Sequence, residues 1–314
     1  MKNSHTYYLL KLLRPRQWIK NLALFAGITF GGQLFNLDSL LTVIIAFMAF
    51  CFLSSATYII NDTLDLKKDQ LHPFKKLRPL ASGKVKKYEA FILLVVLLIA
   101  ALLLSQKLGG IFFLIAIVYM VLQVAYSSYF KGVVIFDIFF IASGYILRVL
   151  AGGEIVGYHI SVWLLLTTVS LSLFLAVGKR RSELTLLRNI KGSRIDAIRH
   201  SLSHYSENLL DAYTAIFATT AIMFYTMFTF LEHPRGLPIS LDVLLPEFLP
   251  SFLQRKWLMI TIVPVIYGIM RYMQDIYEKS EGESPDRVLL ADKALLTSVI
   301  MWVLSVICII YFIG

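Results

Sequence analysis

Nine stretches of this 314-residue chain are apolar for long enough to cross a bilayer as helices, and no other feature narrows the possible folds as much. A crossing helix takes about 20 mostly apolar residues, because in hydrocarbon every backbone amide has to find its partner inside the segment. The stretches run approximately 18–35, 37–60, 90–105, 110–126, 133–150, 160–177, 208–231, 257–272 and 295–313. Hydrophobic residues make up 58% of the chain and charged ones 16%, against roughly 25% charged in a soluble domain. The expected fold is therefore all-α: one polytopic transmembrane domain over residues 1–314, with nine crossing helices. Residues 1–20 lack the small-residue cleavage site of a signal peptide and read as an amphipathic, interfacial approach to the first helix, with Trp18 at headgroup level. Cys51 and Cys308 both lie in apolar segments, where a thiol behaves as a small hydrophobe, so neither a disulfide nor a metal site is expected of them.

Nine crossings put odd and even connections on opposite faces. Of the 30 Lys and Arg, 25 fall on the face of the N-terminal segment and the second, fourth, sixth and eighth connections. The other face holds Lys107, Arg235, Arg255 and Lys256, and Arg148 lies within a helix. By the positive-inside rule the basic face is cytoplasmic, which places the N-terminus in the cytoplasm and the C-terminus outside an inner membrane. Attraction to anionic headgroups explains a modest basic excess, so membrane lipids are expected partners and nucleic acid is not. It does not explain why carboxylates are interleaved with the basic residues.

Asn61, Asp62, Asp65 and Asp69 continue directly from the second apolar stretch. Spacing by four puts Asn61, Asp65 and Asp69 on one helical face, beside Asp62. Carboxylates so arranged repel one another unless a cation sits between them. Oxygen-only ligands suit Mg2+, which keeps several waters and binds through one or two carboxylates plus substrate phosphates. The plainer alternative is a solvated helix end with loose Asp–Lys pairs. The next segment weighs against it: His72, Pro73, Lys75, Lys76, Arg78, Pro79 and Lys84 make a compact basic loop. Carboxylates with a metal, followed by Lys and Arg, suit a diphosphate that has to leave.

Lys179, Arg180, Arg181 and Glu183 stand where the sixth crossing leaves the membrane on the same face, with an ordinary Lys179–Glu183 helical ion pair as the bland alternative. Tyr126, Lys131 and Asp137 lie around the fourth connection, and an ionisable residue at the start of a crossing, as Asp137 is, counts as a functional candidate. Arg148 lies about 16 Å further along the helix and reads as structural, satisfying carbonyls or pairing with Glu154. Arg14, Arg16, Gln17, Lys20 and Asn21 either grip a lipid phosphate or anchor the first helix.

These features resemble the UbiA superfamily of intramembrane prenyltransferases, which has nine transmembrane helices and a first Asp-rich motif NDxxDxxxD, matched by Asn61, Asp62, Asp65 and Asp69. Aromatic prenyltransferases of that superfamily carry a second motif, DxxxD, after the sixth helix, where this chain has Lys179 to Glu183. The departure resembles the decaprenyl-phosphate phosphoribosyltransferase branch, as do RPRQWIKN at 14–21, HPxKxxRPxASG at 72–83, AYSxxxK at 125–131, LRxxAGG at 147–153 and SPDxxLLxDK at 284–293.

The resemblance implies transfer of 5-phosphoribosyl from phosphoribosyl diphosphate (PRPP) to a decaprenyl-like polyprenyl phosphate, in cell-wall biosynthesis. It implies Mg2+ on Asn61, Asp62, Asp65 and Asp69, with Asp62 or Asp65 supporting an oxocarbenium-like transition state. PRPP would be bound by Lys75, Arg78, Tyr126, Lys131, Asp137, Lys179, Arg180 and Glu183, and the lipid phosphate by Arg14, Arg16, Gln17, Lys20 and Asn21. Replacing the second acidic motif by Lys and Arg would create the extra basic pocket that a 5-phosphate needs. Two alternatives stand beside this. An aromatic prenyltransferase using a polyprenyl diphosphate needs a second acidic cluster, and a polyprenyl-phosphate transporter needs polar residues through the bilayer, where Asp137, Arg148 and Asp211 are the candidates. Self-association into a homo-oligomer is compatible with each.

Overall fold

The computed structural model describes residues 5–71, 75–189, 202, 204–232, 256–279 and 285–313, and among them every regular element is helical. In chain order these are α1 (His5–Leu12), a 3-10 helix (Pro15–Leu24), α2 (Phe25–Phe30), α3 (Leu37–Leu64), α4 (Leu66–Leu71), α5 (Lys87–Lys107) and α6 (Gly110–Ser128). There follow α7 (Phe136–Ile155), α8 (Val162–Asn189), α9 (Glu207–Leu231), α10 (Ile262–Gln274), α11 (Pro285–Ala291) and α12 (Lys293–Cys308). Eight segments among the described residues are long and apolar enough to cross a membrane, and they coincide with the second to ninth expected stretches. Polar caps fix where several begin: the side chains of Asn36, Ser206 and Asp292 accept from the backbone N–H of Ser39, Leu209 and Leu295 at 3.1, 3.2 and 2.8 Å.

The first stretch is built differently. Ten 3-10 residues from Pro15 to Leu24 lead into the six residues of α2, so no single helix here is long enough to count as a span, and Arg16, Gln17, Lys20 and Asn21 make its beginning polar. It runs antiparallel to α3 along that helix's length. Arg14 meets Asp62, Trp18 Nε1 donates to Ser55 Oγ at 3.0 Å, Asn21 reaches Ser54, Phe25 packs on Phe47 at 5.9 Å, and Ser39 Oγ donates to Gln33 at 2.9 Å. Polar groups are tolerated at this depth because α3 supplies their partners. Trp18 is turned inward onto α3.

The bundle closes on itself. Tyr311, beyond α12, accepts the Leu34 N–H at 2.8 Å and lies 3.0 Å from the Ile28 carbonyl oxygen, while Phe30 packs edge-on against Phe228. Leu24, Phe50, Leu53, Phe112 and Tyr119 form the core on one side of the ring, and Ile138, Val177, Leu184 and Leu210 on the other. Large apolar side chains such as Ile92, Val96, Ile99 and Leu103 of α5 point outward, as a lipid-facing surface requires. The polar ends of α3, α7 and α8 meet inside the ring.

Candidate active site

The Asp stripe survives a bend in the helix that carries it. Asn61 and Asp62 lie in the last turn of α3, Asp65 is the junction and Asp69 belongs to α4. The backbone bonds Asp65 N–H to Asn61 C=O (2.9 Å) and Asp69 N–H to Asp65 C=O (2.8 Å) keep helical register across the junction. Asp62, Asp65 and Asp69 are only 2%, 7% and 4% exposed, so the stripe is buried and the solvated helix end is excluded. Basic residues from elsewhere cover it. Arg14 pairs with Asp62 and Lys131 with Asp65, while the Arg78 guanidinium bridges Asp62 (3.0 Å) and Asp69 (2.6 Å). Burial pushes the Asp69 carboxyl above the ordinary range, against the pull of Arg78.

A second cluster lies where α8 passes the start of α7. Arg180 and Asp137 are both fully buried, with Arg180 Nε 2.7 Å from Asp137 Oδ2; this contact is an ion pair whose angle departs from hydrogen-bond geometry. Arg180 Nη1 donates to Glu183 at 2.7 Å and Nη2 to the Tyr126 hydroxyl at 2.8 Å. Lys75, on the turn Lys75–Leu77, lies 3.4 Å from Glu183 and so ties the second connection to α8. Glu183 is thus engaged by Arg180 and Lys75, and the expected Lys179–Glu183 pair is not formed. Lys179 instead lies within electrostatic range of Tyr126, Arg180, Lys20 and Glu183. Arg181 faces the other way, 2.7 Å from Asp211 and 3.3 Å from Glu207, with its guanidinium 5.4 Å from the Tyr277 ring.

The first crossing contributes three side chains to the same space. Arg14 lies 4.9 Å over the Tyr58 ring, Gln17 accepts from the Tyr58 hydroxyl at 3.1 Å, and Lys20 donates to Gln17. Arg16 is exposed on another side, and Asn21 is fully buried against Ser54 and Cys51. Arg148 satisfies the Gly144 carbonyl, as the structural reading expected, but its other partners are Asn21 and Tyr119, and no Glu154 pair forms. His72, Pro73 and Ser284 lie outside the described residues.

Two tyrosines in the site carry no motif. Tyr58 precedes Asp62 by one helical turn, so extending the stripe backward would have found it. Tyr205 had no such signal. Its hydroxyl accepts the Ile135 N–H at 2.7 Å and donates to Asp137 Oδ1 at 2.8 Å, holding Ile135 at φ +70°, a strained value for a β-branched residue. Burial and the neighbouring Asp137 both push the Tyr205 phenol above its ordinary pKa.

The stripe presents oxygen donors only, and the bridging guanidinium shows that a cation is accommodated between Asp62 and Asp69. This donor chemistry fits Mg2+. Among the described residues no three carboxylate, imidazole or thiol side chains converge on one point, so a metal here would take only one or two of the stripe's carboxylates.

The model of the UbiA prenyltransferase family matches residues 22–299. The chain belongs to that family. This UbiA-family protein is 33% identical over 307 residues to a decaprenyl-phosphate phosphoribosyltransferase of Corynebacterium glutamicum, covering 96% of this chain and 86% of that one. It is likewise 33% identical over 308 residues to a protein of the same name from Mycolicibacterium smegmatis, with 97% and 92% covered. Among solved structures, a UbiA homologue from Archaeoglobus fulgidus bound to DMAPP and Mg2+ has the same fold, with a TM-score of 0.69 at 17% identity over 96% of this chain and 98% of that one. The UbiA chain is a multi-pass membrane enzyme, a transferase.

Proposed function

We propose that this UbiA-family transferase moves the 5-phosphoribosyl group of PRPP onto a decaprenyl-like polyprenyl phosphate at the cytoplasmic face of an inner membrane, with the N-terminus cytoplasmic and the C-terminus outside. The observation that carries this reading is the end of α8. Where the aromatic branch has a second acidic motif, Arg180 is locked between Asp137 and Glu183, and Lys179 has no ion-pair partner within 4 Å among the described residues. Seven cationic side chains (Arg14, Lys20, Lys75, Arg78, Lys131, Lys179 and Arg180) share the site with five carboxylates (Asp62, Asp65, Asp69, Asp137 and Glu183). That surplus suits a donor with a diphosphate and a 5-phosphate together with an anionic acceptor. The names of the bacterial relatives state the same kind of acceptor and the same transferred group.

In the reaction an oxygen of the acceptor phosphate bonds to ribose C1, the bond from C1 to the diphosphate oxygen breaks, and its electron pair leaves with the diphosphate. The acceptor is already an anion, so no strong base is needed. Asn61, Asp62, Asp65 and Asp69 are the residues that would hold Mg2+, through one or two carboxylates at a time, and the ion would neutralise charge on the leaving diphosphate. Lys75, Arg78 and Lys131 are placed to hold that diphosphate, and Lys179 with Arg180 to hold the 5-phosphate. Arg14, Gln17 and Lys20 are placed for the acceptor phosphate. A carboxylate of Asp62 or Asp65 would stabilise positive charge developing at C1. The prenyl tail would extend between lipid-facing helices.

The test is transfer from labelled PRPP to a series of polyprenyl phosphates in membranes with Mg2+, where a lipid-linked phosphoribosyl product is expected. Lack of that product, together with turnover of a polyprenyl diphosphate and 4-hydroxybenzoate, would move the chain to the aromatic branch.

A further inference from the structure

The backbone of the first crossing is unusual. Residues Pro15–Leu24 form ten consecutive residues of 3-10 helix, where runs beyond three or four are uncommon. At 3.0 residues per turn every third side chain falls on one face. Burial follows that period within the helix: Asn21 and Leu24 are buried behind half-buried Trp18 and exposed Pro15, Arg16 and Leu22 are exposed on either side of half-buried Ile19, and Gln17, Lys20 and Ala23 share a half-buried third face, beside which lies Arg14, the left-handed residue ahead of the helix. This third face is the one turned to the site. Arg14 lies on Asp62 and over Tyr58, Gln17 accepts from Tyr58, and Lys20 lies within electrostatic range of Tyr119 and Lys179. An α-helix would scatter them. It turns by 100° per residue rather than 120°, so over the three residues from Gln17 to Lys20 the last side chain would swing by about 60°.

Two features of α7 hold the opposite face. Arg148 is 4% exposed and has no carboxylate within 4 Å among the described residues; its Nε donates to Asn21 Oδ1 at 2.6 Å and its Nη2 to the Tyr119 hydroxyl at 2.9 Å. A guanidinium at this depth is costly and marks a function. One turn on, Gly152 lies so close to the first crossing that an added Cβ would collide with the Leu24 carbonyl oxygen.

We propose that Arg148 and Gly152 are positioning residues. They clamp the Asn21–Leu24 face of the first crossing to α7, hold it in 3-10 pitch and thereby aim Gln17 and Lys20, in line with Arg14, at the acceptor phosphate. The kinetic consequence rests on the acceptor site proposed above, whereas the pitch can be tested without it.

Single cysteines at positions 14 to 24, in the full-length protein in membranes with its two native cysteines replaced, are modified with a water-soluble methanethiosulfonate. The expected pattern inside the site has a period of three, with 14, 17 and 20 reactive and 18, 21 and 24 protected. In Gly152→Ala and in Arg148→Gln that period is lost and Lys20→Cys reacts at least tenfold more slowly. In both variants KM for polyprenyl phosphate rises at least tenfold while KM for PRPP stays within twofold. An unchanged period of three in the variants, or equal KM changes for the two substrates, overturns the proposal. If Arg148→Gln fails to fold, Gly152→Ala and the milder Asn21→Ala decide by the same two measurements. A wild type that uses no PRPP would overturn the proposed function and leave the labelling pattern to judge the clamp.

Discussion

Replacing Asp137 by asparagine removes one of the two charges that face Arg180 in the interior of the site. Both side chains are fully buried and 2.7 Å apart, and cutting one partner out of a buried pair costs about 3–5 kcal/mol when the survivor is left alone. Arg180 is not left alone, because Glu183 lies 2.7 Å from Nη1 and the Tyr126 hydroxyl 2.8 Å from Nη2. The asparagine also keeps an oxygen that can accept from Tyr205 or face Arg180, but it cannot serve both with full charge. The cost therefore falls at the lower end, about 3 kcal/mol, against a total stability of about 5–15 kcal/mol for a typical domain. Unfolding in detergent, followed by a thiol-reactive dye, should show a clearly lowered midpoint. A guanidinium that has lost its anchor should also raise KM for PRPP about tenfold, the equivalent of 1.4 kcal/mol, with little change for the lipid. The double variant Asp137→Asn with Arg180→Gln should be more stable than additivity predicts, because it removes the uncompensated charge. Strict additivity, or a single variant with wild-type midpoint and wild-type PRPP saturation, would refute the reasoning.

Lys179→Gln should raise KM for PRPP about ten- to a hundredfold through loss of one charge-assisted contact, while Arg181→Gln, which faces Asp211 and Glu207, should leave it within twofold. Saturation curves for each substrate separate the two cases, and equal effects would mean that Arg181 reaches the donor. Asp65→Ala should abolish turnover in a protein that still folds, and near-normal activity with unchanged Mg2+ titration would remove the metal from the Asp stripe. Of cysteines placed at the exposed positions Lys84 and Lys107, the first should react only from the cytoplasm and the second only from outside. The reverse pattern would rule out cytosolic PRPP as the donor.

Periodicity made much of this legible. The apolar stretches announced eight spans and most of their ends to within about five residues, the sixth running on to Leu186 where 177 was expected, and spacing by four placed Asn61, Asp65 and Asp69 together, beside Asp62, before any partner was known. What periodicity cannot supply is the partner. A solvated helix end stood as an alternative because Arg14 and Lys131, which cover the stripe, are 48 and 66 residues away from it in sequence. Tyr205 approaches Asp137 across 68 residues from outside any motif. Charge alone grouped Lys179, Arg180 and Arg181, yet neighbours on a helix point about 100° apart, so Arg181 belongs to a different cluster. The 3-10 pitch of the first crossing was hidden because three-residue spacings occur on α-helical faces too.

Closure of the ring also has a consequence for how the chain is made. The first crossing carries Asn21 into the bilayer, but Arg148 lies 127 residues further along the chain, and Tyr311 reaches the Ile28 carbonyl across 283. At about 5–20 residues per second of synthesis, the polar first segment waits several seconds to half a minute for Arg148, and up to about a minute for the tyrosine that seals its outer end. During that interval α3 alone satisfies it, so the first crossing and α3 enter the membrane as a hairpin, and the site takes shape only when the last crossing docks.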